Sequence, residues 1–127
     1  MKDLDKEPFV IVSAKTKNQS DIETFRQNHA LKEYLSFHGY RYKLVSGRYN
    51  GEDEASFLLP NISEADALSI ATLFNQESIL VVDENREARL VFTNDSEPTS
   101  LGWFTRGESK DNFTLDGDIK YICTGAK

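Results

Sequence analysis

Apolar and polar positions recur along this chain with two different periods, and the changes of period mark its elements. Residues 9–14 (FVIVSA) form a short apolar, β-branched run, the pattern of a buried strand. Ser20 and Asp21 then supply N-cap chemistry for a helix that Gly39 stops. Its apolar positions Ile22, Phe25, Leu31, Tyr34, Leu35 and His38 follow roughly helical spacing. Residues 40–46 (YRYKLVS) alternate aromatic or aliphatic with polar groups, which suits a half-buried strand. A turn-rich loop from Gly47 to Asp53 follows, and residues 54–59 (EASFLL) make a third strand closed by Pro60. Ser63-x-x-Asp66 opens a second helix in the manner of a capping box, with Ala67, Leu68, Ile70, Ala71 and Phe74 on one face. Residues 78–82 and 88–92 are strands joined by a polar turn, a predicted hairpin. The tail reads more loosely: a loop containing Pro98, a strand at 101–105, another loop, and a last strand near 118–123.

The order β-α-β-β-α-β followed by extra strands predicts an α+β fold. It is the ferredoxin-like split βαβ pattern, an antiparallel sheet with two helices on one face and additional C-terminal strands. The other sheet face then needs water or a partner, and Phe, Val and Leu on several strands favour a partner. Such a fold hosts many unrelated functions and supplies none by itself.

Length and charge narrow the classes. A chain of 127 residues is expected to form one domain, 1–127, and a domain this small leaves much surface for an oligomer to bury. The net charge of −6 argues against a basic nucleic-acid-binding face. No stretch approaches a membrane span, and the N-terminus (MKDLDKEPF) is charged rather than signal-like, so the expected location is cytoplasmic. The single cysteine, Cys123, cannot form an intrachain disulfide and has no neighbour at metal-ligand spacing.

Few constellations carry chemistry. The acidic run Glu52-Asp53-Glu54 would ordinarily be a solvated loop. Glu54 differs from its neighbours, because period-2 alternation puts it in line with Ser56 and Leu58 on one sheet face. Tyr49 lies five residues earlier, so a Tyr and a Glu flanking one loop could meet around a ligand. His29 and His38 are nine residues apart on the predicted first helix, not the i, i+4 spacing of a helical metal pair, and read as surface or core histidines. Walker, GxGxxG, GxSxG and HExxH motifs are all missing. Asp116-Gly117-Asp118 lacks the remaining ligands of a calcium loop and reads better as a hairpin turn.

Several short matches nevertheless occur in one order: Val12-Ser13-Ala14, Arg26-x-x-His29, Gly47-Arg48-Tyr49, Glu54-Ala55-Ser56-Phe57, Gln76 before Ile79-Leu80-Val81, the 101–104 strand, and Phe113-Thr114-Leu115-Asp116. This set, spanning residues 9 to 121, resembles the phage-encoded S-adenosylmethionine lyases, formerly called S-adenosylmethionine hydrolases. The loop between Tyr49 and Glu54 is shorter here than the family pattern.

The resemblance implies cleavage of S-adenosylmethionine to 5′-methylthioadenosine and homoserine lactone without metal or cofactor. It also implies a homotrimer with active sites between subunits, and a role in evading host restriction and methylation. Glu54 and Tyr49 become the implied catalytic residues. The backbone after Ser13, at Ala14, and the Gln76 side chain become candidates for holding the substrate. Direct hydrolysis is a variant of this reading. The alternatives from other classes are a non-catalytic nucleotide-binding trimer and an acidic, DNA-mimicking anti-restriction protein. Interspersion of 15 basic with 21 acidic residues speaks against the mimic.

Overall fold

The computed structural model describes residues 7–13, 20–49, 52–94, 96–108 and 113–124. The elements run β1 (Phe9–Ser13), α1 (Asp21–Phe37), β2 (Lys43–Tyr49), β3 (Glu52–Pro60), α2 (Glu64–Leu73), β4 (Ser78–Val82), β5 (Glu87–Phe92), β6 (Thr99–Arg106), β7 (Phe113–Asp116) and β8 (Ile119–Thr124). All strand pairs are antiparallel, and the order β1-β3-β2-β7-β8-β6-β5-β4 closes on itself through the β4–β1 pair.

The architecture is therefore a closed eight-stranded barrel, which corrects the expected open, ferredoxin-like split βαβ sheet. The physical reason lies in the tail. Residues 113–116, read as loop, form β7, which pairs with β2 on one side and with β8 on the other. Strands β5, β6 and β8 continue the sheet from β4 until it meets β7. The second sheet face, expected to need a partner, instead folds inward and buries itself. Closure also removes both sheet edges.

The two faces make two cores. Val10, Val12, Phe57, Leu59, Ile79, Val81 and Val91 face outward and are covered by Leu31 and Leu35 of α1 and Ala67, Ile70 and Ala71 of α2. The alternate positions Phe9, Ile11, Val45, Leu58, Leu80, Val82, Ala88, Phe104 and Tyr121 fill the lumen. Phe104 meets Phe9 edge-on at 5.1 Å between ring centroids and stacks on Tyr121 at 5.1 Å. These contacts bind the tail strands to the first one.

Both helices start where their caps predict. Ser20 Oγ accepts the Glu23 N–H at 3.2 Å, and the Glu23 carboxylate accepts the Ser20 N–H at 3.2 Å, a complete capping box. Hydrogen bonds from Ser20 hold the Glu23 carboxyl below its ordinary pKa. Ser63 caps α2 through the Asp66 N–H at 3.1 Å. The packing face of α1 is shorter than its apolar spacing suggests: Leu31 and Leu35 are fully buried, whereas Ile22 and Phe25 are exposed. Asn75, with φ of 58°, takes the left-handed turn after α2 that a glycine would otherwise occupy.

Candidate active site

Strand direction gives the barrel two unlike ends. At one end lie the start of β1, the start of β2 and the end of β7. Here Lys43 Nζ meets Asp116 Oδ2 at 2.6 Å, with Asp116 nearly buried. The Arg86 guanidinium sits 5.5 Å over the Phe9 ring and donates to the Glu7 carbonyl at 2.8 Å. Ion pair, ring and guanidinium cover this end.

The opposite end holds the end of β1, the β2–β3 connection and the start of β7, and its inward positions are polar. Ser13 on β1 is directly opposite Ser56 on β3. One step along, position 54 of β3 pairs with Gly47 of β2, Gly47 with Thr114 of β7, and Thr114 with Tyr121 of β8. Directly opposed residues share a sheet face, and Tyr121 belongs to the lumen core. This unbroken row, 54–47–114–121, therefore runs along the inner wall. Gly47 contributes no side chain to it. Tyr49 is opposite Glu52 at the tip of the same hairpin.

The hydroxyl groups along this inner wall are shut away from water. Ser56 is 2% exposed, Thr114 2%, Tyr121 1% and Ser13 9%. Ser56 Oγ and the Tyr121 phenolic oxygen have no hydrogen-bond partner among the described residues. Buried hydroxyls are normally paired, so two unpartnered ones in the lumen wall call for an explanation.

The sequence-predicted residues distribute as follows. Ser13, Tyr49 and Glu54 are brought to one end of the barrel by strand register. For Tyr49 and Glu54 the backbone is described and the side chains are not; Ala14 lies outside the described residues. Gln76 is buried in the connection between α2 and β4, next to the same end but outside the row. Its N–H donates to the Ala71 carbonyl at 2.8 Å and its own carbonyl accepts from Thr93 Oγ1 at 2.8 Å, which pins α2 to β5.

The span read as a loop, Gly47 to Asp53, is largely hairpin strand instead, so Glu54 and Tyr49 sit on paired backbone. His29 Nε2 lies 2.6 Å from Glu33 Oε1 on the exposed face of α1, and His38 packs on Tyr34 and Phe37; both are surface residues. Among the described residues no cluster of three or more His, Cys, Asp or Glu could hold a metal. No described helix is long and apolar enough to cross a membrane. A surface depression on α2, lined by Leu68, Ser69, Thr72 and Leu73, includes none of the predicted site residues.

Ser56, Thr114 and Tyr121 escaped the sequence-level choice of site residues. Their signal was present as alternation: Ile119, Tyr121 and Cys123 share one face of the last strand, and Thr114 sits within the Phe-Thr-Leu-Asp match. What was missing was the pairing partner that turns that face inward.

The arrangement is a barrel covered at one end and hydroxyl-lined at the other, with a Glu and a Tyr carried by one hairpin at the polar end. No curated protein matches the chain. The model of the S-adenosylmethionine lyase family matches residues 10–124, from the first strand of the barrel to the last. The chain belongs to the S-adenosylmethionine lyase family.

Proposed function

We propose that the protein cleaves S-adenosylmethionine to 5′-methylthioadenosine and homoserine lactone, with the polar end of the barrel as its site. The observation that carries this reading is the family match across nearly the whole chain. The register that gathers Ser13, Tyr49 and Glu54 at one barrel end supports it.

The chemistry asks little of the protein. A carboxylate oxygen of the substrate attacks its own Cγ, and the Cγ–S bond breaks with its electron pair passing to sulfur. The sulfonium becomes a neutral thioether and a five-membered lactone is left, still carrying its ammonium. Attacking and leaving groups are tethered in one molecule, so holding the methionine arm folded can supply several kcal/mol of barrier lowering.

Charge assigns the roles. Sulfur loses its positive charge as the bond breaks, so a carboxylate held against it would favour the ground state and slow the reaction. Glu54 instead binds the substrate ammonium and orients the attacking carboxylate. Tyr49 covers the bent arm and excludes water. Ser13, the backbone at Ala14 and the Gln76 side chain hold adenosine or the polar ends.

In this reading the protein is a cytoplasmic homotrimer with sites between subunits, and it depletes a methyl donor used by host restriction and methylation. Exposed Ile22, Phe25, Phe37, Leu44 and Leu73 are the kind of surface an assembly buries. The test is incubation of purified protein with S-adenosylmethionine in EDTA. Methylthioadenosine is the expected product. Absence of turnover would favour a nucleotide-binding trimer, and a strict metal requirement would exclude the intramolecular mechanism.

A further inference from the structure

Two buried hydroxyls of the lumen wall remain unexplained. Ser56 Oγ and the Tyr121 oxygen lie in the lumen wall at 2% and 1% residue exposure, and neither finds a partner among the described residues. Each bears the full desolvation penalty of a buried polar group in the free protein. A fold tolerates this where the binding of a ligand later supplies the missing hydrogen bonds.

Their surroundings say what can enter. The lumen beyond them is filled by Phe9, Leu58, Phe104 and other apolar side chains. An eight-stranded barrel is just wide enough for its own side chains or one small ligand. Position 54 stands two residues from Ser56 on the same strand face, about 6.6 Å away along the strand. The row from 54 to Tyr121 has a glycine, Gly47, as its second member.

Hydroxyls both donate and accept. They can serve a zwitterion whose carboxylate wants donors and whose ammonium wants acceptors. The lumen lysine, Lys43, is committed to Asp116 at the far end.

We propose that Ser56 and Tyr121 form the subsite that receives the α-amino-acid end of the substrate, drawing the methionine arm into the barrel mouth while adenosine stays outside. This rests on the reading of S-adenosylmethionine as substrate and adds two binding residues to it. Ser56 donates to the carboxylate when position 54 holds the ammonium, and Tyr121 stands at the far end of the 54–47–114–121 row.

Two unreactive ligands separate the possibilities. S-adenosylhomocysteine carries the amino-acid end and 5′-methylthioadenosine lacks it. Titration calorimetry with the full chain compares both ligands on the parent, Ser56→Ala and Tyr121→Phe; the latter keeps the ring that stacks on Phe104. Each variant should bind S-adenosylhomocysteine about five- to tenfold more weakly and methylthioadenosine within about twofold of the parent. Their melting temperatures without ligand should be unchanged or higher, because a buried orphan has been removed.

Equal weakening of both ligands would overturn the assignment to the amino-acid end. Unchanged binding of both would show that the hydroxyls take no part in binding, and would overturn it too. In either case parent binding of both ligands leaves the substrate reading intact. A parent that binds neither ligand would overturn that reading and this inference together.

Discussion

Phe104 gives the most discriminating test of how the chain is folded. It lies on β6, in the tail, yet its ring touches Phe9 of β1 edge-on at 5.1 Å and stacks on Tyr121 of β8 at 5.1 Å. At 3% exposure it is a full member of the lumen core. Replacing it by alanine removes a buried aromatic ring, a change that costs about 3–5 kcal/mol in well-packed cores. Loss of two ring–ring contacts, each worth about 0.5–1.5 kcal/mol, argues for the upper half of that range. At roughly 2.1 cal/mol/K per residue, 127 residues unfold with an entropy of about 0.27 kcal/mol/K. A loss of ~4 kcal/mol therefore lowers the melting temperature by about 15 °C. Thermal unfolding followed by far-ultraviolet circular dichroism, together with amide exchange of β1, reads the effect. A closed barrel predicts one transition, shifted as a whole, with protection of Val10 to Val12 falling in step. A loss below about 1 kcal/mol, or a separate early transition that leaves β1 protected, would refute closure. That second outcome is what an open sheet with a loose tail would give.

Other predictions concern the site and surface. Glu54→Gln should lower turnover at least about tenfold, equivalent to ~1.4 kcal/mol, with the fold retained, and Tyr49→Phe should lower it less; steady-state kinetics beside a melting curve checks both. Cys123 is an exposed residue of β8, yet the protein atoms packed about its thiol disfavour the thiolate and push its pKa up from 9.0 to about 11. The folded protein thus holds that proton more tightly than the unfolded chain, so this group's contribution to stability is complete below pH 9 and is lost as pH rises through 11. Alkylation of folded protein should accordingly keep accelerating to about pH 11. At pH 8 it should run about tenfold slower than for a free thiol, since a hundredfold smaller thiolate fraction is partly offset by greater nucleophilicity. An inflection near pH 9 would contradict this. Light scattering should report a trimer at micromolar concentration, and a fully active monomer would exclude sites shared between subunits.

Local signals in the chain were strong and global closure was silent. Ser20 with Asp21 and Ser63 with Asp66 announced both helices, because capping chemistry is confined to a few consecutive residues. The β4–β5 hairpin was equally legible from its two apolar runs. Residues 113–116 were not: four residues of mixed character carry little periodicity, and their strand state depends on β2 and β8, distant in sequence. Missing β7 left the sheet open on paper and its inner face without an occupant. The same gap hid part of the site. Tyr49 and Glu54 were chosen from a loop and a motif, whereas Ser56, Thr114 and Tyr121 acquire meaning only once β7 joins β2 to β8 and the wall closes. On α1, helical spacing marked Ile22 and Phe25 for the core along with Leu31 and Leu35. Periodicity shows which residues share a face but not how far the neighbouring sheet extends beneath it.

The central claim, attack by the substrate's own carboxylate, is tested most directly by the fate of oxygen. Purified protein is given S-adenosylmethionine in heavy-oxygen water, and the four-carbon product is examined from the earliest turnovers by mass spectrometry. Intramolecular attack predicts unlabelled homoserine lactone first. Any later ring opening by water at the acyl carbon then puts label in the carboxylate of homoserine and none in its side-chain hydroxyl. Label in that hydroxyl from the first turnovers would mean that water attacked Cγ, would contradict the lactone mechanism, and would recast Glu54 as a general base.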